Sequence, residues 1–283
     1  MNKLTAESTL SLPDGTLIPQ LGFGVYQLTD PEECKQAVKS ALDIGYRHFD
    51  TASAYKNEEM LGDVFKEHGV SRDELYITTK CWISDFGKTK TRQSLEKSLR
   101  DLQMEYVDLY LLHWPEDSSM MEAWESMVEM QAEGKIKSIG VSNFSISRFE
   151  DFFFQHTDVV PAINQVESHP KLRQSKLQTY CKTKDIILEA YSPLGRGNKE
   201  ILEDPALKEI AASTGKSTAQ VILRWHLQQG RVVIPKSANP VRIQENFDLF
   251  DFRLSDEQLT VMDELDEDKS VLSWLPNDGI GWY

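Results

Sequence analysis

Cysteine is scarce: Cys34, Cys81 and Cys181 are three in 283 residues, odd in number and widely separated. They cannot form a disulfide framework, which predicts a reducing compartment and three packing residues. Positive charge is also short, 31 Lys and Arg against 45 Asp and Glu, and the formal charge of −14 argues against a nucleic-acid or anionic-membrane surface. No apolar run approaches the length of a membrane span, and the opening residues Met1 to Ser8 lack the apolar core of a secretion signal. The expected location is the cytoplasm. The six histidines show no His-Glu-x-x-His or comparable ligand spacing, so no metal is expected. Two glycine pairs, Gly22-Phe23-Gly24 and Gly195-Arg196-Gly197, both lack the third glycine of a dinucleotide fingerprint. Gly215-Lys216-Ser217 ends like a phosphate-binding loop, but the earlier glycine falls at Ile210, which rejects that reading. Linkers and low-complexity segments are absent, and residues 1–283 read as one domain.

What is present is a repeating unit. Strand-like runs end near Asp50, Lys80, His113, Ser142, Val166 and Tyr191, 24 to 33 residues apart, the length of a strand plus a helix. Between them, Cys34, Ala37, Val38, Ala41 and Leu42 mark one face of a helix, as do Leu95, Leu99 and Leu102. Start signals agree: Asp30-Pro31 supplies a cap and a first-turn proline, and Ser217 to Gln220 and Ser255 to Gln258 read as capping boxes. Ile186-Ile187-Leu188 and Val232-Val233-Ile234 are continuously apolar, as parallel strands buried on both faces should be. Alternation of this kind leaves a closed barrel or an open doubly wound sheet, and the missing fingerprint favours the barrel. The expected fold is α/β, a single (β/α)8 TIM barrel. An N-terminal β-hairpin turning at Asp14-Gly15 would plug its lower end.

In such a barrel the strand ends carry function. Asp50, Lys80 and His113 close successive runs, and Tyr55 follows Asp50 closely, so all four gather at one rim. A phenol has a reference pKa of about 10, and a neighbouring ammonium lowers it. Lys80 is the candidate ammonium, Asp50 its partner, and His113 can hydrogen-bond the oxygen that receives the proton. This describes a proton-delivery site for a carbonyl. The plainer alternative is a structural ion pair, a half-buried ring and a core histidine; four compatible groups at one rim weigh against it.

The chain resembles the aldo-keto reductases through Asp50-Thr51-Ala52-Ser53-Ala54-Tyr55-Lys56-Asn57-Glu58, Leu112-His113-Trp114-Pro115, Gly140-Val141-Ser142-Asn143-Phe144, Asn164-Gln165-Val166-Glu167, Tyr191-Ser192-Pro193-Leu194 and Ile234-Pro235-Lys236-Ser237. Short loops after His113 and Tyr191 are similar to those of bacterial members of the 2,5-diketogluconate reductase type. The resemblance implies a (β/α)8 barrel and NADPH-dependent reduction of small aldehydes, dicarbonyls or keto sugars by a monomer. It implies Tyr55 as general acid, tuned by Lys80 and Asp50, and His113 orienting the carbonyl. It further implies that Ser142, Asn143 and Gln165 hold the nicotinamide carboxamide, that Tyr191 stacks on the ring, and that Ser192, Leu194 and Gly195 meet the pyrophosphate. Lys236, Ser237 and Arg242 would grip the 2′-phosphate, with Glu245 and Asn246 at the adenine. Tyr26, Trp82, Trp114 and Trp274 would shape the substrate pocket.

Two other readings stay open. Some relatives serve as nicotinamide-binding sensing subunits with little turnover, although all four catalytic positions are filled here. A barrel glycosidase would need two carboxyl groups, for which Asp50 and Glu167 are the nearest candidates.

Overall fold

A computed structural model describes residues 3–116 and 119–272. Two short strands, β1 (Thr9–Ser11) and β2 (Leu17–Pro19), pair antiparallel as the hairpin. Eight parallel strands follow: β3 (Phe23–Gly24), β4 (His48–Asp50), β5 (Tyr76–Cys81), β6 (Val107–Leu112), β7 (Ile136–Ser142), β8 (Ile163–Glu167), β9 (Ile187–Tyr191) and β10 (Val232–Val233). They hydrogen-bond in chain order from β3 to β10. The sheet closes on itself where Gly22 N donates to Val233 O at 2.9 Å and Val233 N donates to Gln20 O at 2.9 Å. This is the (β/α)8 barrel, whose closure pairs the two outer strands of the eight-stranded sheet with each other's flanks.

The local signals act as expected. Asp30 Oδ1 accepts from Glu33 N at 2.8 Å, Pro31 fills the first helical position, and Gly45 ends the helix Pro31–Ile44 at φ 120°. That helix buries the anticipated face of Cys34, Ala37, Val38, Ala41 and Leu42. Both capping boxes form, at Ser217 with Gln220 and at Ser255 with Gln258. Strand ends fall within a residue of those expected, because backbone pairing runs slightly past the apolar pattern at Cys81 and Glu167 and stops at Leu112.

The hairpin covers the end of the barrel opposite the rim. Ile18 and Leu12 pack with Tyr76, Ile163 and Val232, each at the start of its strand. Thr16 Oγ1 meets Ser138 Oγ at 2.7 Å and ties the turn to β7. The barrel therefore opens at one end only. Ile18 is fully buried whereas Leu17 is 58% exposed. Ile18→Ala should cost about 2 to 5 kcal/mol in urea denaturation, and Leu17→Ala within about 0.5 kcal/mol. Equal effects would show that the hairpin is not packed as a floor.

Candidate active site

The rim is built around Asp50, the last residue of β4, and Lys80 on β5. Lys80 Nζ donates to Asp50 Oδ1 at 2.5 Å, to Thr51 O at 2.9 Å and to Tyr55 Oη at 3.4 Å. All three ammonium hydrogens are thereby used. Tyr55 sits in a single helical turn, Ser53–Tyr55, whose position is fixed from both sides. Ser53 Oγ donates to Lys80 O at 3.0 Å. Asn57 accepts from Thr51 Oγ1 at 2.8 Å and donates to Val25 O at 3.0 Å, and Glu58 accepts from Thr79 Oγ1 at 2.7 Å and from Ser98 Oγ at 3.1 Å. The polar end of the Asp50 to Glu58 segment is thus scaffolding for the phenol.

His113 follows β6 and packs edge-on to the rings of Tyr55 and Trp82, with centroids 5.6 and 5.0 Å apart. Tyr26, 47% exposed, leans on Tyr55 at 4.9 Å between centroids. Trp114 is half-buried beside His113, and Trp274 lies outside the described residues. Burial and the Lys80 charge hold the His113 imidazole well below its ordinary range, so the ring is neutral at neutral pH.

One expectation is reversed. Lys80 does not lower the Tyr55 phenol: burial and the charge of Asp50, with smaller contributions from Tyr26 and Glu189, push it well above 10. The ammonium is close, but Asp50 at 2.5 Å largely cancels its field. Asp50 itself is raised by burial, against which Lys80 and Gln165 pull it down.

The polar residues of β7 to β9 form a second layer joined to the first. Ser142 Oγ donates to Gln165 O at 2.8 Å, and Asn143 Nδ2 donates to His113 O at 3.1 Å. Asn143 adopts φ 64°, and its Oδ1 accepts from Tyr191 Oη at 2.9 Å. Gln165 Nε2 donates to Asp50 Oδ2 at 2.7 Å and to Glu189 Oε2 at 3.0 Å. After β9 the chain turns through Ser192 at φ 48°, half-buried Leu194 and Gly195 at φ 56°. The left-handed backbone at Gly195 favours glycine, and a Cβ there would stand 2.3 Å from Ile201 Cδ1, which would have to move.

Lys236 and Ser237 precede the helix Pro240–Phe247, whose first turn carries Arg242. Neither Lys236 nor Arg242 has an ion-pair partner among the described residues, although the chain is strongly acidic. No hydrogen bond joins them to Ser237 among those residues; only proximity in the chain groups them. Glu245 is half-buried on the helix and Asn246 is buried with Ile243.

Sequence reasoning missed Glu189 and His48, both fully buried, with Glu189 Oε1 3.8 Å from His48 Nε2. The signal was an acid placed directly after the apolar run Ile186 to Leu188. It also missed a tether at Glu167, which accepts from His169 Nε2 at 2.9 Å, Ser270 Oγ at 2.6 Å and Val271 N at 2.8 Å. With Glu167 so engaged and Asp50 bound to Lys80, the two carboxyl groups considered for glycosidic chemistry are both committed elsewhere. Among the described residues no group of three His, Cys, Asp or Glu is arranged to hold a metal.

A (β/α)8 barrel with a buried Asp–Lys pair, a phenol and an imidazole at the carboxyl ends of its strands defines the class as a barrel enzyme. The chain belongs to the aldo/keto reductase family, whose model matches residues 20–267. Methylglyoxal reductase DkgA of Escherichia coli O157:H7 is 46% identical over 266 residues, 93% of this chain and 95% of that protein. Glyoxal reductase of Bacillus subtilis strain 168 is 45% identical over 265 residues, covering 94% and 95%. The crystal structure of a Bombyx mori aldo-keto reductase in complex with NADP aligns with a TM-score of 0.88 at 32% identity, covering 96% of each chain.

Burial should keep both His48, pushed down to about 3, and His113 neutral in mild acid. Long-range proton–nitrogen NMR should show neutral imidazoles for both at pH about 5, below the ordinary histidine pKa of about 6.5. Titration of either ring near that value would contradict the burial.

Proposed function

We propose that the protein is an NADPH-dependent carbonyl reductase of small aldehydes, dicarbonyls or keto sugars, working in the cytoplasm as a monomer. The observation that carries the reading is the buried Lys80 ammonium held between Asp50 and the Tyr55 hydroxyl. The related proteins named for methylglyoxal and glyoxal support the choice of small dicarbonyls, and the NADP complex of a structural neighbour supports the cofactor.

The donor set suits a nicotinamide dinucleotide phosphate. Ser142, Asn143 and Gln165 offer hydroxyl and amide groups for a carboxamide, and Tyr191 a ring face beside them. Ser192, Leu194 and Gly195 offer backbone to a pyrophosphate. Lys236, Ser237 and Arg242 supply a point charge, a hydroxyl and a guanidinium for a phosphate, while Glu245 and Asn246 lie one turn further on for the adenine. When bound, the nicotinamide supplies the hydride.

The chain supplies the proton. Tyr55 is a phenol whose pKa is raised further by burial and the Asp50 charge, so it is protonated at neutral pH and gives up the proton only to an oxygen becoming an alkoxide, a stronger base than phenolate. Lys80 stabilises the phenolate left behind, and Asp50 aims that ammonium. Neutral His113 orients the carbonyl oxygen toward the phenol. Tyr26, Trp82 and Trp114 line the approach. With all four catalytic positions filled, nothing favours a sensing subunit.

NADPH oxidation with methylglyoxal, glyoxal and a keto sugar tests the reading. Tyr55→Phe should lower turnover by about 10²- to 10⁴-fold while NADPH binding is kept. Near-normal turnover in that variant would remove Tyr55 as the acid. Lys236→Met and Arg242→Ala should each weaken NADPH binding about 10- to 100-fold and leave NADH binding nearly unchanged. Parallel loss for both nucleotides would mean that these residues do not read the phosphate.

A further inference from the structure

The proton-delivery scheme has no use for Glu189, yet this acid lies inside the barrel within reach of the cluster. It sits on β9 two residues before Tyr191, so the alternation of the strand turns both to the same side. Its Oε2 accepts from Gln165 Nε2 at 3.0 Å, and the same nitrogen donates to Asp50 Oδ2 at 2.7 Å. Both hydrogens of the Gln165 amide are therefore directed at carboxyl groups.

An ionised carboxylate accepts hydrogen bonds and cannot donate them, so the Gln165 nitrogen must face Asp50 and the amide oxygen must turn away. Glu189 removes the remaining freedom by taking the second hydrogen. We propose that Glu189 is a positioning residue, which with Asp50 locks the Gln165 amide so that its oxygen is presented to the amide hydrogens of the nicotinamide carboxamide. The lock also links the grip on the cofactor to the proton-delivery cluster, since Asp50 bonds both Gln165 and Lys80. This inference rests on the functional reading above, in which Gln165 holds the carboxamide.

The charge balance inside the barrel fits. Lys80 and Asp50 cancel, and a second ionised carboxyl would leave a buried negative charge. Burial and the charge of Asp50 push Glu189 up to about 8, so at neutral pH it is the uncharged acid, accepting from Gln165 through one oxygen. The other oxygen faces His48 Nε2 at 3.8 Å. The charged and titratable groups around Glu189 are His48 and Asp50 from β4, Tyr55 from the following turn, and Tyr76 and Lys80 from β5. As pH rises through about 8, Glu189 ionises and its charge raises the Tyr55 phenol further, making it a weaker acid.

NADPH affinity, measured by fluorescence titration, and the pH profile of kcat tell the outcomes apart. Glu189→Leu should weaken NADPH binding about tenfold, the effect of one lost hydrogen bond, and Glu189→Gln, which keeps an acceptor, should restore most of it. Wild-type kcat is expected to decline as pH rises through about 8, and that decline should be absent in Glu189→Gln, which cannot ionise. Wild-type NADPH affinity in Glu189→Leu, or an unchanged alkaline decline in Glu189→Gln, would overturn the proposal. If Glu189→Leu does not fold, the Glu189→Gln profile still decides. Absence of NADPH binding by the wild type would instead overturn the functional reading itself, whereas binding and turnover with indifferent Glu189 variants would sink only the role of Glu189.

Discussion

The ion pair of Lys80 with Asp50 is the constraint to which the rest of the rim conforms. Removing both charges from water is costly, and their attraction offsets that cost only when the remaining hydrogen-bonding capacity is filled. The structure fills it on both sides: Thr51 O and Tyr55 Oη complete the ammonium, and Gln165 takes the second carboxylate oxygen. These partners come from β4, β5, β8 and the turn after β4. Placing the pair correctly thus requires the barrel to have closed in the right register, and the proposed proton-delivery group and the fold are specified together.

The same pair explains why the phenol moves in the direction opposite to that expected from a nearby lysine. A lone ammonium would favour phenolate, but one already neutralised by a carboxylate leaves burial in control. The arrangement suits an acid that must hold its proton until a strong base forms beside it. In the proposed reaction, stabilisation by Lys80 would be differential, acting on the phenolate more than on the resting phenol.

Much of this was legible in the sequence because it was local or periodic. Asp30-Pro31, the two capping boxes and the buried face from Cys34 to Leu42 follow from helix geometry alone, and the end of each barrel strand marks a rim position. The pairing of Lys80 with Asp50 followed once those strands were placed side by side. The roles of Glu189 and His48 were not legible, since they depend on which side chains meet inside a closed barrel across β4, β8 and β9. Nor was the direction of the Tyr55 shift, because burial is a property of the assembled rim. Lys236 and Arg242 were found by resemblance, and the structure adds that neither is tied to an acid among the described residues.

The turn that carries Tyr55 is held by Asn57 reaching Val25 and Leu28 and by Glu58 reaching Thr79 and Ser98. Ordering it therefore belongs to the folding equilibrium and not to the catalytic cycle. The entropy of fixing the phenol is carried once, by the stability of the whole barrel, and does not recur in the activation free energy of each turnover. Mutations at Asn57 or Glu58 would move that entropy from one ledger to the other, slowing chemistry in molecules that are still folded.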